Sequence, residues 1–259
     1  MLSSLRTRYR PAHIRPAIHG IIRRLGYSVV DHRKDVGAGI LLPGHLRKTI
    51  ERLSLNCVVD VGANRGDYAA MLRKQGFTGL ILSVEPLRDV YEALAQRAAS
   101  DPNWRVLNAA LGDKDEFRQI NVCVARNLSS FLSPAGDIGE AVLDSEVEAV
   151  ETVHVRRLDE VLRSIVREEK APRVLLKMDT QGYDLRVMEG AVEVLPFIRA
   201  IQTELSVVPL YRDMPDYVEA LSYFRKLGFA PTGFFGVTGH LRTGRTLEFD
   251  AILTRLDAK

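Results

Sequence analysis

One short segment carries the clearest chemical signal in the chain. Residues 58–68 are Val-Val-Asp-Val-Gly-Ala-Asn-Arg-Gly-Asp-Tyr, an apolar run that leads into a turn with two glycines. These glycines would let the backbone approach a ligand without a Cβ in the way, and a helix after the turn would offer free N–H groups. The segment predicts a nucleotide-type binding turn whose ligand-contacting residues are Asp60, Gly62, Asn64 and Gly66.

The same turn does not fit two common phosphate-binding motifs. The dinucleotide motif G-x-G-x-x-G would need glycine where the chain has Asn64 and Asp67. A P-loop would need a Gly-Lys-Ser/Thr sequence, which this segment does not contain. The Asp60 carboxylate would repel a diphosphate, but it could accept the ammonium of a zwitterionic amino acid. The turn therefore favours a ligand with an amino-acid group over a diphosphate.

Two further apolar runs end in residues that would complete such a site. Glu85 follows the second run, and in a parallel sheet a carboxylate at that strand end reaches both hydroxyls of a ribose. Asn108 and Ala109 end the third run, where an amide and a small side chain could flank a flat adenine. Together the three strand ends predict a pocket for S-adenosylmethionine (SAM).

Two later carboxylates are candidates for proton transfer. Asp179 and Glu204 each follow an apolar run, so in a parallel sheet they should face the same crevice as Gly62 and Glu85. They could serve as the base for a substrate hydroxyl, or hold a divalent cation such as Mg²⁺ that lowers the pKa of that hydroxyl. The alternative for Asp179 is that it caps the helix that follows it.

Alternating elements must position these residues. From about residue 55, short β-branched runs alternate with stretches of helical period, which is typical of βαβ units around a parallel sheet. We predict strands at 57–61, 80–84, 105–108, 174–178 and 200–203, and helices at 67–75, 87–99, 183–194 and 215–227. Between the third and fourth strands we predict an insertion with a strand at 118–124, a polar turn at 127–130 and a helix from 158 to about 166. The last runs, 229–235 and 247–254, indicate a hairpin. The predicted fold is α/β: a doubly wound, mostly parallel Rossmann-like sheet with a C-terminal antiparallel hairpin.

Composition and the distribution of charge indicate how the chain divides into domains. The chain has 259 residues, 46% hydrophobic and 27% charged, which excludes a disordered or collagen-like protein and a small disulfide scaffold. Residues 1–50 contain ten of the 36 Lys and Arg residues but only two acidic residues. We predict a basic N-terminal extension or lid at 1–50 and a single catalytic domain at 51–259. The extension could contact an anionic partner, but its few aromatic residues argue against binding to single-stranded nucleic acid.

The compartment is predicted from two features of the sequence. Cys57 and Cys123 both lie in apolar runs, where buried free thiols of a reducing compartment are expected. The sequence has neither an apolar run long enough to span a bilayer nor the apolar core of a signal peptide. We therefore expect a soluble, cytoplasmic protein, and we leave open whether it forms a homo-oligomer.

In these segments the chain resembles the FkbM family of SAM-dependent methyltransferases, and the resemblance covers roughly residues 55–255. The matching segments are 59–66, 84–86, 108–113, 176–182, 187–191 and 202–205. The family commonly has Asp-x-Glu-Gly where this chain has Asp179-Thr180-Gln181-Gly182. The resemblance implies O-methylation of a hydroxyl on a specialised metabolite, a sugar or a glycolipid, presented as a small molecule or on a carrier.

Two other functions are compatible with the residues. A ribose-binding Glu85 would also serve an NAD-linked oxidoreductase, although the missing glycines argue against it. The chain could also be a non-catalytic protein that keeps a nucleotide pocket and binds an anionic partner through its basic N-terminus.

Overall fold

The computed structural model describes residues 37–135, 145–168, 172–239 and 243–256. Most of the predicted basic extension, residues 1–36, lies outside the described residues. The helices are α1 (Gly37–Leu53), α2 (Asp67–Lys74), α3 (Arg88–Ala98), α4 (Leu158–Glu168), α5 (Asp184–Glu189) and α6 (Tyr217–Lys226). Short 3-10 helices lie at Arg126–Leu128 and Leu195–Phe197. The strands are β1 (Cys57–Val61), β2 (Leu80–Val84), β3 (Trp104–Leu107), β4 (Ala110–Gly112), β5 (Glu116–Cys123), β6 (Val147–Arg157), β7 (Val174–Met178), β8 (Ile198–Ser206), β9 (Phe229–Gly239) and β10 (Thr246–Arg255).

A seven-stranded sheet forms the centre of the molecule, in the order β3-β2-β1-β7-β8-β10-β9. Strands β3, β2, β1, β7 and β8 pair in parallel, whereas β10 is antiparallel to both β8 and β9. The strand order reverses between β1 and β7, so the carboxyl ends of these two strands flank the ligand crevice of a doubly wound sheet. The predicted fold, a mostly parallel Rossmann-like sheet with a C-terminal antiparallel hairpin, is confirmed.

The central strands are buried on both faces. Every residue of β1, β2 and β7 is buried, as expected for parallel strands that are covered by helices on either side. Alternate residues contribute to two separate apolar clusters, with Val59 and Leu176 on one face and Val58 and Leu175 on the other. This alternation explains why the sequence predicts these three strands with their observed bounds.

The insertion is larger than the sequence analysis predicts. It contains a second sheet in the order β4-β6-β5, of which only β5 is predicted. The predicted helix at 183–194 is also too long, because α5 ends at Glu189. A Cβ on the next residue, Gly190, would lie 2.1 Å from the carbonyl oxygen of Gly112 in β4, so the chain leaves the helix where it packs closely on the second sheet.

Helix α1 crosses the predicted domain boundary at residue 50. Its Leu46 and Leu53 are buried, and its His45 ring lies 5.4 Å from the ring of Phe235 in β9. This helix therefore packs on one face of the central sheet, beside β9, while the division at residue 50 stays a prediction. Of the helices that the structure describes, none has both the length and the apolarity that crossing a bilayer requires.

Candidate active site

A cavity of about 680 Å³, partly open to solvent, lies at the carboxyl ends of β1, β2 and β7. Five of the predicted site residues line it, namely Gly62, Asn64, Glu85, Ala109 and Asp179. The 3-10 helix Arg126–Leu128 and the polar turn at 127–130 also contribute residues to the lining. The sheet topology thus brings together strand ends that are far apart in the sequence.

Two sides of this cavity can be distinguished. The β1–β2 side consists of the turns after β1 and β2 with the segment after β3, and it includes Glu85. The β7–β8 side consists of the residues after β7 that line the cavity, including Asp179, together with the end of β8 and the loops that pack behind them.

On the β1–β2 side, the Glu85 carboxylate holds the two turns together. One oxygen accepts a hydrogen bond from the backbone N–H of Asn64 at 2.8 Å, and the other accepts one from that of Leu87 at 3.0 Å. Burial raises the pKa of Glu85 to about 7, although both hydrogen bonds act in the opposite direction. Each oxygen keeps a lone pair that could accept a ligand hydroxyl.

Packing within the protein excludes a side chain at both glycines of the turn after β1, which the sequence analysis does not predict. Gly62 has φ +73°, and a Cβ there would lie 2.0 Å from the backbone oxygen of Asp179. At Gly66, which does not line the cavity, a Cβ would lie 2.7 Å from the Trp104 ring and 2.8 Å from Leu94. Both glycines permit close packing of the protein on itself, in addition to any approach to a ligand.

Asp60 lies behind the cavity. The register of β1 and β7 sets Asp60 beside Lys177, and the Lys177 Nζ lies 3.1 Å from the Asp60 carboxylate. Burial raises the pKa of Asp60 against the lowering effect of Lys177. Because this carboxylate is 0% exposed and already paired with a cation, the structure does not present Asp60 to a ligand ammonium.

Asn108 also lies outside the cavity lining. Its side-chain amide donates to the backbone oxygens of Glu85 and Pro86, both at 2.9 Å. The Asn108 amide therefore braces the turn that carries Glu85, while its contact with adenine stays a prediction. The neighbouring Ala109 does line the cavity.

On the β7–β8 side, Gln181 joins the two predicted catalytic acids. Its Nε2 donates to Asp179 Oδ1 at 2.9 Å and to Glu204 Oε2 at 3.1 Å. Asp179 lines the cavity with 39% of its side chain exposed, and its second oxygen lies 3.5 Å from Lys177 Nζ. Asp179 is thus held by Gln181 and Lys177, an arrangement different from the alternative in which it caps the next helix.

Glu204 does not line the same cavity. It lines a smaller one of about 280 Å³ together with Asp184 and Met214. Burial, followed by the nearby carboxylates of Asp179 and Glu248, raises the pKa of Glu204 well above its ordinary value. The geometry therefore favours Asp179 over Glu204 as a group that contacts a ligand in the larger cavity.

Two further residues hold this side of the cavity, and the sequence analysis misses one of them. Ser130 donates its hydroxyl to the backbone oxygen of Gln181 at 2.8 Å, and the Tyr211 hydroxyl contacts Gln181 Oε1 at 2.9 Å. The polar turn at 127–130 signals the first contact. No local pattern signals Tyr211, which reaches the site from the loop after β8.

The Mg²⁺ alternative gains no support from the residues that the structure describes. Within those residues there is no group of three or more His, Cys, Asp or Glu side chains arranged to hold a metal ion.

Comparison with known proteins gives the family. Residues 60–231 match the model of the methyltransferase FkbM domain, which is more than half of the chain. The chain belongs to the FkbM methyltransferase family. As a member of this family it is a SAM-dependent methyltransferase, and the match favours that prediction over an NAD-linked oxidoreductase.

Three solved structures are similar to the chain at low sequence identity. No curated protein matches the chain. An rRNA methylase from Streptococcus thermophilus is 12% identical, with 88% of this chain and 99% of that chain covered and a TM-score of 0.46. Aeropyrum pernix fibrillarin with bound S-adenosyl-L-methionine is 12% identical, with 83% and 74% covered and a TM-score of 0.45. Magnesium protoporphyrin IX methyltransferase from Synechocystis PCC 6803 with bound SAM is 11% identical, with 93% and 92% covered and a TM-score of 0.45.

Proposed function

We propose that this FkbM methyltransferase transfers a methyl group from SAM to a hydroxyl of a specialised metabolite, a sugar or a glycolipid, either free or on a carrier. One observation carries the proposal: Glu85 and Asp179 line the same cavity from its two sides. The first is suited to hold a nucleoside and the second to accept a proton. The acceptor class itself rests on the resemblance to the family.

The residues of the β1–β2 side fit the nucleoside part of SAM. Glu85 is buried at 5% exposure, yet each of its oxygens can still accept a ribose hydroxyl. Apolar side chains next to it, Leu87, Val90 and Leu111, offer a wall for adenine. Arg126 also lines the cavity, but it pairs with Glu148 at 2.5 Å and with Asp89 at 3.2 Å, so its charge is already compensated.

The chain's own part in the reaction is alignment, exclusion of water and proton transfer. When bound, SAM supplies the electrophilic methyl group of its sulfonium. Glu85 would orient the ribose, and the insertion would shield the reacting atoms from water. Asp179 would take the proton of the acceptor hydroxyl as its oxygen attacks the methyl carbon. A positioned base of this kind typically contributes about 10²- to 10⁴-fold in rate.

Calorimetric titration with SAM, NAD⁺ and a DNA duplex separates the proposed function from its alternatives. We expect micromolar binding of SAM. If the protein binds NAD⁺ but does not bind SAM, that result would indicate an oxidoreductase. Binding of DNA that weakens steeply with salt would indicate a nucleic-acid partner.

Incubation with labelled SAM and an extract of the producing cell, followed by mass spectrometry, identifies the acceptor. We predict that Asp179→Asn lowers methyl transfer about 10²- to 10⁴-fold while SAM affinity stays within a few-fold, because the amide cannot accept the proton. The matched control is Asp213→Asn, an exposed residue outside the cavity lining. Wild-type turnover in Asp179→Asn would remove this residue from the chemistry.

We further propose that the protein acts in the cytoplasm, since both cysteines are buried and free. The basic extension at 1–50 remains a candidate lid or contact for an anionic carrier.

A further inference from the structure

The side-chain amide of Gln181 has a different kind of hydrogen-bond partner at its nitrogen than at its oxygen. Its nitrogen faces two carboxylates, Asp179 and Glu204, and its oxygen faces the hydroxyl of Tyr211. An ionised carboxylate can only accept hydrogen bonds, whereas an amide nitrogen can donate two. The amide is therefore complementary to both acids at once, and its orientation is fixed by the groups around it.

The backbone at this position is also held from outside. Gln181 has φ +53°, a left-handed conformation that is uncommon for a residue other than glycine, asparagine or aspartate. Its carbonyl oxygen accepts a hydrogen bond from the hydroxyl of Ser130, and the residue as a whole is only 9% exposed. Strained conformations of this kind persist where surrounding contacts impose them, and they cluster at functional sites.

We propose that Gln181 is a positioning residue, whose amide bridge separates Asp179 from Glu204 and holds Asp179 toward the cavity as the proton acceptor. The proposal rests on the proposed function of Asp179. An ionised carboxylate at 181 would lie beside two other carboxylates and could not donate a hydrogen bond to either.

Other ionisable groups lie close enough to interact electrostatically with Asp179 or Glu204. They are Glu248 and Asp250 of β10, Asp184 of α5, Lys177 of β7, Asp60 of β1 and Tyr211 of the loop after β8. Because these groups are common to all variants below, differences between variants isolate the bridge.

The test is the pH dependence of thermal unfolding of the full chain, which needs no acceptor. In Gln181→Glu the added carboxyl is buried beside two acids, so its pKa in the folded state lies above that in the unfolded state. Its stability contribution is retained at low pH and lost as pH rises toward the folded-state pKa. We expect Tm to fall by about 5 °C more between pH 5 and pH 8 than in the wild type.

Two controls sharpen this result. Gln119→Glu adds the same charge at an exposed position of β5 and should keep the pH dependence of the wild type. The double variant Gln181→Glu/Glu204→Gln restores the number of carboxyl groups, so most of the extra pH dependence should disappear. An equal effect in Gln181→Glu and Gln119→Glu, or no rescue in the double variant, would overturn the proposal.

A second measurement reports on the two acids directly. With ¹³C-carboxyl-labelled Asp and Glu, signals assigned through Asp179→Asn and Glu204→Gln give the titration midpoints of both groups. Gln181→Ala removes the amide that donates to both carboxylates, so the higher midpoint should rise; an unchanged midpoint would contradict the bridge. This variant decides the question even if Gln181→Glu does not fold.

Failure of the bridge and failure of the proposed function give different results. If SAM does not bind the wild type but Gln181→Glu shows the extra pH dependence, the bridge stands and the methyl-transfer role of Asp179 falls. If SAM binds and Gln181→Glu behaves like Gln119→Glu, the function stands and the positioning role is wrong.

Discussion

The two sides of the cavity are held together in different ways. On the β1–β2 side, Glu85 receives backbone N–H groups from residues 2 and 21 positions away in the sequence. On the β7–β8 side, Gln181 contacts Ser130 and Tyr211, which lie 51 and 30 positions away. The first side is thus a product of local strand-to-helix turns, and the second depends on side chains that the tertiary structure collects from several loops.

This difference suggests a division of tasks. A side built from backbone groups in parallel βα turns can keep one shape while the rest of the sequence changes, which suits a cofactor used by a whole family. A side built from loop side chains changes whenever a loop changes, which suits selection of the acceptor. Breaking each side should therefore have distinct consequences.

The largest loss of stability should come from Gly62→Ala, because Gly62 forms the backbone contact between the two sides. A methyl group there would lie 2.0 Å from the backbone oxygen of Asp179, at a residue with φ +73°. Strain and overpacking together should cost about 4 kcal/mol in the free energy of unfolding, measured by urea denaturation. The matched control is Gly76→Ala, where φ is +93° but no atom lies within 4 Å, so that only the strain of about 1 kcal/mol remains. Equal costs at both positions would show that the close contact is unimportant.

The same contrast explains what the sequence could predict. Strands β1, β2 and β7 have the predicted bounds, because fully buried parallel strands appear as short apolar runs between turns. The strands of the insertion lack this pattern, because β4 has only three residues and the first half of β6 is exposed. Pairing in the second sheet, rather than the local sequence pattern, defines both strands.

The candidate site shows the same limit. Five of the predicted residues line the cavity because strand ends are readable from the sequence. The pairing of Asp60 with Lys177, and the bridge from Gln181 to Glu204, depend on register between strands that are distant in the chain. Which of two acids at neighbouring strand ends faces the cavity is therefore decided by tertiary contacts alone.

A somewhat smaller effect is expected for Lys177→Met, which removes the cation between the sides. The Lys177 ammonium lies 3.1 Å from Asp60 and 3.5 Å from Asp179, and although burial lowers its pKa, these carboxylates raise it overall. Its loss leaves the buried Asp60 carboxylate uncompensated, at a cost of about 3 kcal/mol near neutral pH.

The pH dependence of this cost has a defined sign. Without the cation, the pKa of Asp60 in the folded state rises further above its unfolded value, so stability is retained at low pH and lost as pH rises. Urea denaturation at pH 5 and pH 8 should show the larger cost at pH 8. The exposed control Lys74→Met should change little at either pH, and Asp60→Asn should rescue Lys177→Met. Absence of rescue would mean that packing of the lysine stem, not its charge, is what matters.

The smallest effect concerns Glu85 and tests the β1–β2 side alone. Ribose hydroxyls donate to the ionised carboxylate, and burial raises the pKa of Glu85 to about 7. SAM affinity of the wild type should therefore rise through pH 7, level off above about pH 8, and be roughly tenfold weaker at pH 6 than at pH 8. In the free protein the sign is opposite: the stability contributed by Glu85 is present below pH 4.5 and is lost as pH rises toward 7.

Glu85→Gln removes both dependences at once, because an amide does not titrate. Calorimetry should give an SAM affinity about 10- to 100-fold weaker than that of the wild type at pH 8, since charge-assisted hydrogen bonds are replaced by neutral ones. The difference in SAM affinity between the variant and the wild type should narrow toward pH 6. The exposed control Glu92→Gln should follow the wild type. A constant gap across this range would mean that Glu85 acts by holding the Asn64 and Leu87 turns rather than by binding ribose, and the β1–β2 side would then depend on its side chains as much as the β7–β8 side does.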